Sequence, residues 1–187
     1  GFPAAARAAD TAFQCRSELA EMFGLKNPEQ VIFTLNATHA LNIAIKRLVP
    51  PSGRAVVSGY EHNAVTRPLE ALGASISVAA APLFEAEAVT AAFDRQITPD
   101  TDAVICSHVS NVFGFIQPVE DIAAICRKRG VPFIVDASQS AGILPLNMGA
   151  LGAAFVAMQG HTGLYGPQCP GVLLCGEGIP TRTLLEG

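Results

Sequence analysis

Several things are missing from this sequence, and each absence narrows what the protein can be. There is no unbroken apolar run of the roughly 20 residues a membrane helix needs, so no membrane span is expected. An apolar leader is not expected in the first twenty residues either, because Arg7, Asp10, Arg16 and Glu18 interrupt them. No basic tract exceeds the CRKRG at 126–130, and the net charge of −4 is spread along the chain, which leaves nucleic acid no electrostatic footprint. The five cysteines (15, 106, 126, 169 and 175) are odd in number and show no CxxC spacing. That pattern favours reduced thiols buried as small core residues over a disulfide framework or a zinc site. Repeats, low-complexity tracts and internal linkers are also lacking. These absences predict a soluble, cytoplasmic protein with neither nucleic acid nor membrane as partner. An initial methionine is missing too, and the expectation is a fragment of a longer protein.

What is present is a 187-residue chain, half of it apolar, which is enough for one domain with a sizeable core. Seven short β-rich runs punctuate it: VIFT (31–34), RAVVS (54–58), SISVA (75–79), AVICS (103–107), PFIVD (132–136), AFVAM (154–158) and GVLLC (171–175). Most lack polar alternation, as strands buried on both faces should. Helical stripes lie between them: Ala40, Leu41, Ala44, Ile45 and Leu48 form one, and Val119, Ile122, Ala123 and Cys126 form another behind Pro118. Segment 84–95 is a third helix candidate, and the Ala-rich start to about Gly24 a fourth. Strands alternating with helices predict an α/β fold, three-layer α/β/α, with a mainly parallel seven-stranded sheet.

In such a sheet ligands bind beyond the carboxyl ends of the strands. The residues that follow the runs are Asn36-Ala37-Thr38-His39, Glu61-His62-Asn63, His108-Val109-Ser110-Asn111, Asp136 with Ser138 and Gln139, and Gln159-Gly160-His161-Thr162. Thr38 suits a helix cap, and a buried Asp136 implies a cationic partner, either an internal salt bridge or a ligand. Histidine is a common metal ligand, but His39, His62, His108 and His161 show no HxH or HExxH spacing, so no metal is expected. A planar heterocycle bearing a phosphate accounts for the set. The first amides of the helix at Thr38 would take the phosphate, His62 would stack on the ring, and Asp136 would pair with a ring nitrogen.

Five ordered stretches carry a resemblance: ATHALN (37–42), EHNAV (61–65), SHVSNVFG (107–114), VDASQSAG (135–142) and GHTGLYGP (160–167). They resemble the motifs of fold-type-I pyridoxal-phosphate enzymes, specifically the class V aminotransferase group that contains cysteine desulfurases and selenocysteine lyases. The resemblance implies that Ala37 and Thr38 meet the phosphate with help from His161, that His62 stacks on the ring, that Asn111 and Gln139 touch the ring hydroxyl, and that Asp136 pairs with the pyridine nitrogen. It also implies a large cofactor-binding domain over 1–187, without the first active-site loop or the small C-terminal domain, and an obligate dimer.

One departure matters most. The family's lysine, which binds the cofactor aldehyde, corresponds to Thr162, which has no amine and can neither form that bond nor carry its proton. Lys26, Lys46 and Lys128 lie away from the carboxyl ends of the runs. Gln159 replaces a small hydroxyl residue near the phosphate, and Cys169 replaces a glycine. The expectation is pyridoxal 5'-phosphate held noncovalently if at all, an amino-acid substrate such as cysteine, and impaired catalysis. The alternative is a noncatalytic domain that pairs with itself or with an intact homologue.

Overall fold

A computed structural model describes residues 2–166 and 170–179. In chain order the elements are α1 (Pro3–Met22), β1 (Val31–Thr34), α2 (Ala37–Leu48), β2 (Arg54–Ser58), α3 (Asn63–Ala71), β3 (Ser75–Ala79) and α4 (Ala86–Gln96). They continue with β4 (Ala103–Ser107), α5 (Val119–Arg129), β5 (Phe133–Asp136), α6 (Met148–Leu151), β6 (Phe155–Gln159) and β7 (Gly171–Cys175). Among the described residues no helix is long and apolar enough to cross a membrane.

The seven strands form one sheet in the order β1-β7-β6-β5-β4-β2-β3. The run from β6 through β3 is parallel, while β7 lies antiparallel to both β6 and β1. Successive residues of the inner strands enter opposite layers. Val56, Val104, Val135 and Val156 join a core with α4, α5 and the end of α1, whereas Val57, Ile105, Ile134 and Ala157 join one with α2 and α3. Both faces are covered, which is why these runs show no polar alternation. Full burial of a side chain such as Ile105 or Ile134 contributes about 1.5–3 kcal/mol.

The exception is β3, whose run SISVA does alternate: it is the sheet's edge and leaves Val78 nearly half exposed. Helix α3 was not anticipated, because Pro68 sits inside its nine residues. The Ala-rich start does form a helix, but of α1 only Leu19 and Ala20 in its last turns are buried.

The topology makes one crevice. From β2 the chain moves outward to β3, then crosses back to place β4 on the other side of β2. The chain therefore leaves the carboxyl end of β2 toward β3 and that of β4 toward β5, a switch point of the kind beside which open α/β sheets bind ligands.

Candidate functional site

A polar pocket of about 130 Å³ opens at the carboxyl ends of β4, β5 and β6. Its wall includes Ala37, Thr38, His62, Asn111, Asp136 and Gln139, six of the residues singled out from sequence, together with Ser107 and Gln159. His161 and Thr162 are not part of the wall: His161 is exposed, and Thr162 is half-buried behind Gln159. Cys169 lies outside the described residues.

Helix α2 supplies the first wall. Its cap is Asn36 and not Thr38: Asn36 Oδ1 accepts from the His39 N–H at 2.8 Å, and Ala40 N–H makes the first bond back to Asn36 O. The capping role expected of Thr38 thus passes to Asn36, and Thr38 lines the pocket. The N–H groups of Ala37 and Thr38 precede the first intrahelical bond, which suits them to an anion. Strand β7 passes close beneath this helix start, and a Cβ on Gly171 would stand 2.2 Å from the Asn36 carbonyl carbon.

His62 caps α3, its Nδ1 accepting from the Ala64 N–H at 3.1 Å. That bond sets the ring's orientation at the pocket wall. Asp136 ends β5, with Oδ1 accepting from both Ser138 N–H (3.0 Å) and Ser138 Oγ (2.5 Å). Among the described residues Oδ2 has no hydrogen-bond partner, and no cation pairs with this carboxylate, so the internal salt bridge is absent there. Burial raises the Asp136 carboxyl above its ordinary range, opposed by the Ser138 hydrogen bonds and the nearby His62.

The turn after β6 explains the glycines of GHTGLYGP. A Cβ on Gly163 would lie 2.2 Å from the Ala141 carbonyl oxygen, so only glycine lets this turn close on the segment behind Asp136. Within the turn, Gln159 Nε2 donates to Thr162 Oγ1 at 2.8 Å. The position that would present an amine therefore presents a hydroxyl already engaged by a wall residue.

The histidines do not converge: His39 Nδ1 accepts from Leu35 N–H, while His108 is buried with Nδ1 unpartnered. Burial lowers the His108 pKa, opposed by Glu120. Among the described residues no group of three or more His, Cys, Asp or Glu side chains could hold a metal ion. Cys106, Cys126 and Cys175 are buried, and burial raises all three thiols, to about 12 for Cys126 and about 11 for Cys175. Burial with raised pKa values is the pattern of structural thiols.

Glu61 and Ser107 lie within the motifs EHNAV and SHVSNVFG, but the sequence assigns neither of them a role. Ser107 ends β4 beside Asp136, its partner in the sheet register. Glu61 sits behind Ser107, and a serine closing an apolar strand beside the pocket was the available signal.

The family profile for Aminotransferase class-V matches residues 2–181. The chain is 35% identical to the cysteine desulfurase IscS of Pectobacterium carotovorum, over 84% of this chain and 40% of that protein. A structure of a cysteine desulfurase from Thermococcus onnurineus NA1 superposes with a TM-score of 0.82 at 29% identity, covering 91% of this chain and 44% of the other. The structure of SspA in complex with cysteine gives the same TM-score at 28% identity, over 94% of this chain and 52% of that one. The chain thus spans about two fifths to one half of these proteins. Matched by its profile over nearly all of its length and sharing their mostly parallel seven-stranded sheet, the chain belongs to the class V aminotransferase family.

Proposed function

We propose that this chain is the large, cofactor-binding domain of a cysteine desulfurase-like protein and that it holds pyridoxal 5'-phosphate without a covalent bond. The observation that carries the reading is the gathering of Ala37, Thr38, His62, Asn111, Asp136 and Gln139 around one pocket, with Asp136 Oδ2 unpartnered. The residues fit the group noncovalently. The α2 amides and Thr38 hydroxyl suit the phosphate, His62 suits the ring face, Asn111 and Gln139 suit the ring hydroxyl, and Asp136 suits a protonated ring nitrogen. When bound, the cofactor withdraws electrons from the α-carbon of an amino acid, and in the family's reaction sulfur leaves L-cysteine to give L-alanine.

Thr162 separates this chain from that chemistry. It supplies no amine to anchor the cofactor and no base to move the α-proton, and its hydroxyl is held by Gln159. Turnover of cysteine is accordingly impaired or absent. The test is a pyridoxal 5'-phosphate titration read by absorbance, followed by borohydride reduction and intact mass. Saturable binding without a covalent adduct is the expected result, and Thr162→Lys should introduce one. A Thr162→Lys protein that binds but never reduces to an adduct would count against this assignment of the pocket.

A second reading, a noncatalytic module that pairs with a copy of itself or with an intact homologue, is favoured by one surface. Tyr60, Phe84, Phe113 and Phe115 stack edge to face beside the pocket, and Phe84, Val112, Phe113 and Ile116 remain exposed there. Sedimentation of a well-behaved monomer at high concentration would argue against it.

A further inference from the structure

The crevice between the carboxyl ends of β2 and β4 is filled by one side chain. Glu61 Oε1 accepts from Ser58 Oγ at the end of β2 and from Ser107 N–H (2.9 Å) at the end of β4, while Oε2 accepts from Ser107 Oγ (2.8 Å). Gln117 closes the arrangement from behind, its Nε2 donating to the Ser107 carbonyl at 2.7 Å and to Ser58 Oγ at 3.2 Å. Every hydrogen-bonding group of Ser107 named here is thus held by a side chain, on the strand beside Asp136. Three donors converge on Glu61, an arrangement suited to the ionised carboxylate.

The charges around it are few. From β5 Asp136 repels it, from β4 the Cys106 thiol lies within its field, and from the start of α3 His62 acts on Asp136. Among the described residues no Lys, Arg or His forms an ion pair with Glu61. Burial raises its pKa to about 7, against the pull of the Ser58 and Ser107 hydrogen bonds, so its charge changes in the neutral range.

We propose that Glu61 is a positioning residue of this pocket: its carboxylate fixes Ser107 at the wall and adds negative charge behind Asp136, so that the pocket favours ligands whose inner end is cationic. The inference rests on the reading that pyridoxal 5'-phosphate enters this pocket with its ring nitrogen toward Asp136. Glu61 does not touch the ligand and acts through Asp136 and Ser107.

The experiment compares pyridoxal 5'-phosphate with its 1-deaza analogue, which lacks the ring nitrogen, against the wild-type chain and Glu61→Gln between pH 6 and pH 8. Glutamine keeps much of the hydrogen bonding and removes the charge. The expected result is a loss of about fivefold in affinity for pyridoxal 5'-phosphate at pH 8, fading to less than about twofold at pH 6 where wild-type Glu61 is mostly protonated. The deaza analogue should bind both proteins alike. Ser107→Ala removes one donor but keeps the charge, and should move the pH-dependent step upward. Equal losses for both ligands at every pH would reduce Glu61 to a structural support, and no loss for either would make it a bystander; each overturns the proposal. Failure of the wild-type chain to bind pyridoxal 5'-phosphate would instead remove the pocket reading itself, and this inference with it.

Discussion

The two ends of the sheet hold cavities of opposite character. At the amino ends of β5 and β6 a space of about 610 Å³ lies among Gly24, Gly130, Met148, Gly152 and Ala153, several times larger than the pocket of about 130 Å³ at the carboxyl ends. The polar side chains at the larger cavity are already committed. Arg127 Nη1 donates to the carbonyls of Ala150 (2.6 Å) and Leu151 (3.1 Å), Gln30 donates to Cys175 O, and Lys26 pairs with Glu177 at 2.7 Å. At the smaller pocket Asp136 keeps an oxygen without a partner, and the first amides of α2 point outward from their helix. Uncommitted polar groups, more than volume, mark a place where a ligand gains something that the folded chain has not already taken.

That contrast can be tested by disturbing each end. The largest effect is expected at the carboxyl ends and concerns pH. A carboxyl whose pKa rises on folding stabilises the native state below its ordinary pKa, and this contribution is lost as pH climbs through the folded value. For Glu61 the window runs from near 4.5 to about 7, and wild-type stability should fall across it by about 3 kcal/mol, with Asp136 adding in the same direction. Urea denaturation at several pH values should show the slope, and Glu61→Gln should flatten most of it. A slope unchanged by Glu61→Gln would mean the carboxyl is better solvated than its contacts indicate.

Next in size is Asp136→Asn, which removes a charged acceptor from the pocket and should weaken pyridoxal 5'-phosphate binding by about 10- to 100-fold in a fluorescence titration. Little change would dissolve the distinction between the two ends. Smallest is Arg127→Ala at the opposite end. It removes two hydrogen bonds to the end of α6 and should cost about 1–2 kcal/mol of stability by denaturant titration, leaving ligand affinity unchanged.

The fold was largely legible because its signals are local. VIFT, RAVVS, SISVA, AVICS and GVLLC match their strands residue for residue, while β5 is shorter by Pro132 and β6 is shifted by one, losing Ala154 and gaining Gln159. Periodicity does not reveal direction, and the antiparallel course of β7 became visible only from its pairing. The pocket was legible where residues follow strands, as Asp136 and His62 do. Glu61 also follows a strand, but its role was not legible, since a glutamate preceding a histidine resembles any solvated charge. What makes it different is the approach of Ser58 and Ser107, two strands that are neighbours in space but not in sequence. Asn36 escaped for a smaller reason: Thr38 is also a good capping residue, and only backbone geometry chooses between them.

The pairing of β1 has a consequence in time. Among the described residues its only neighbour in the sheet is β7, with Val31 opposite Leu174, so β1 has no strand to join there until β7 has been synthesised. At about 5–20 residues per second, a ribosome holds that edge open for on the order of ten seconds. During this interval the backbone groups of β1 that pair with β7 stay unpaired, which exposes a nascent chain to wrong partners before its sheet can close.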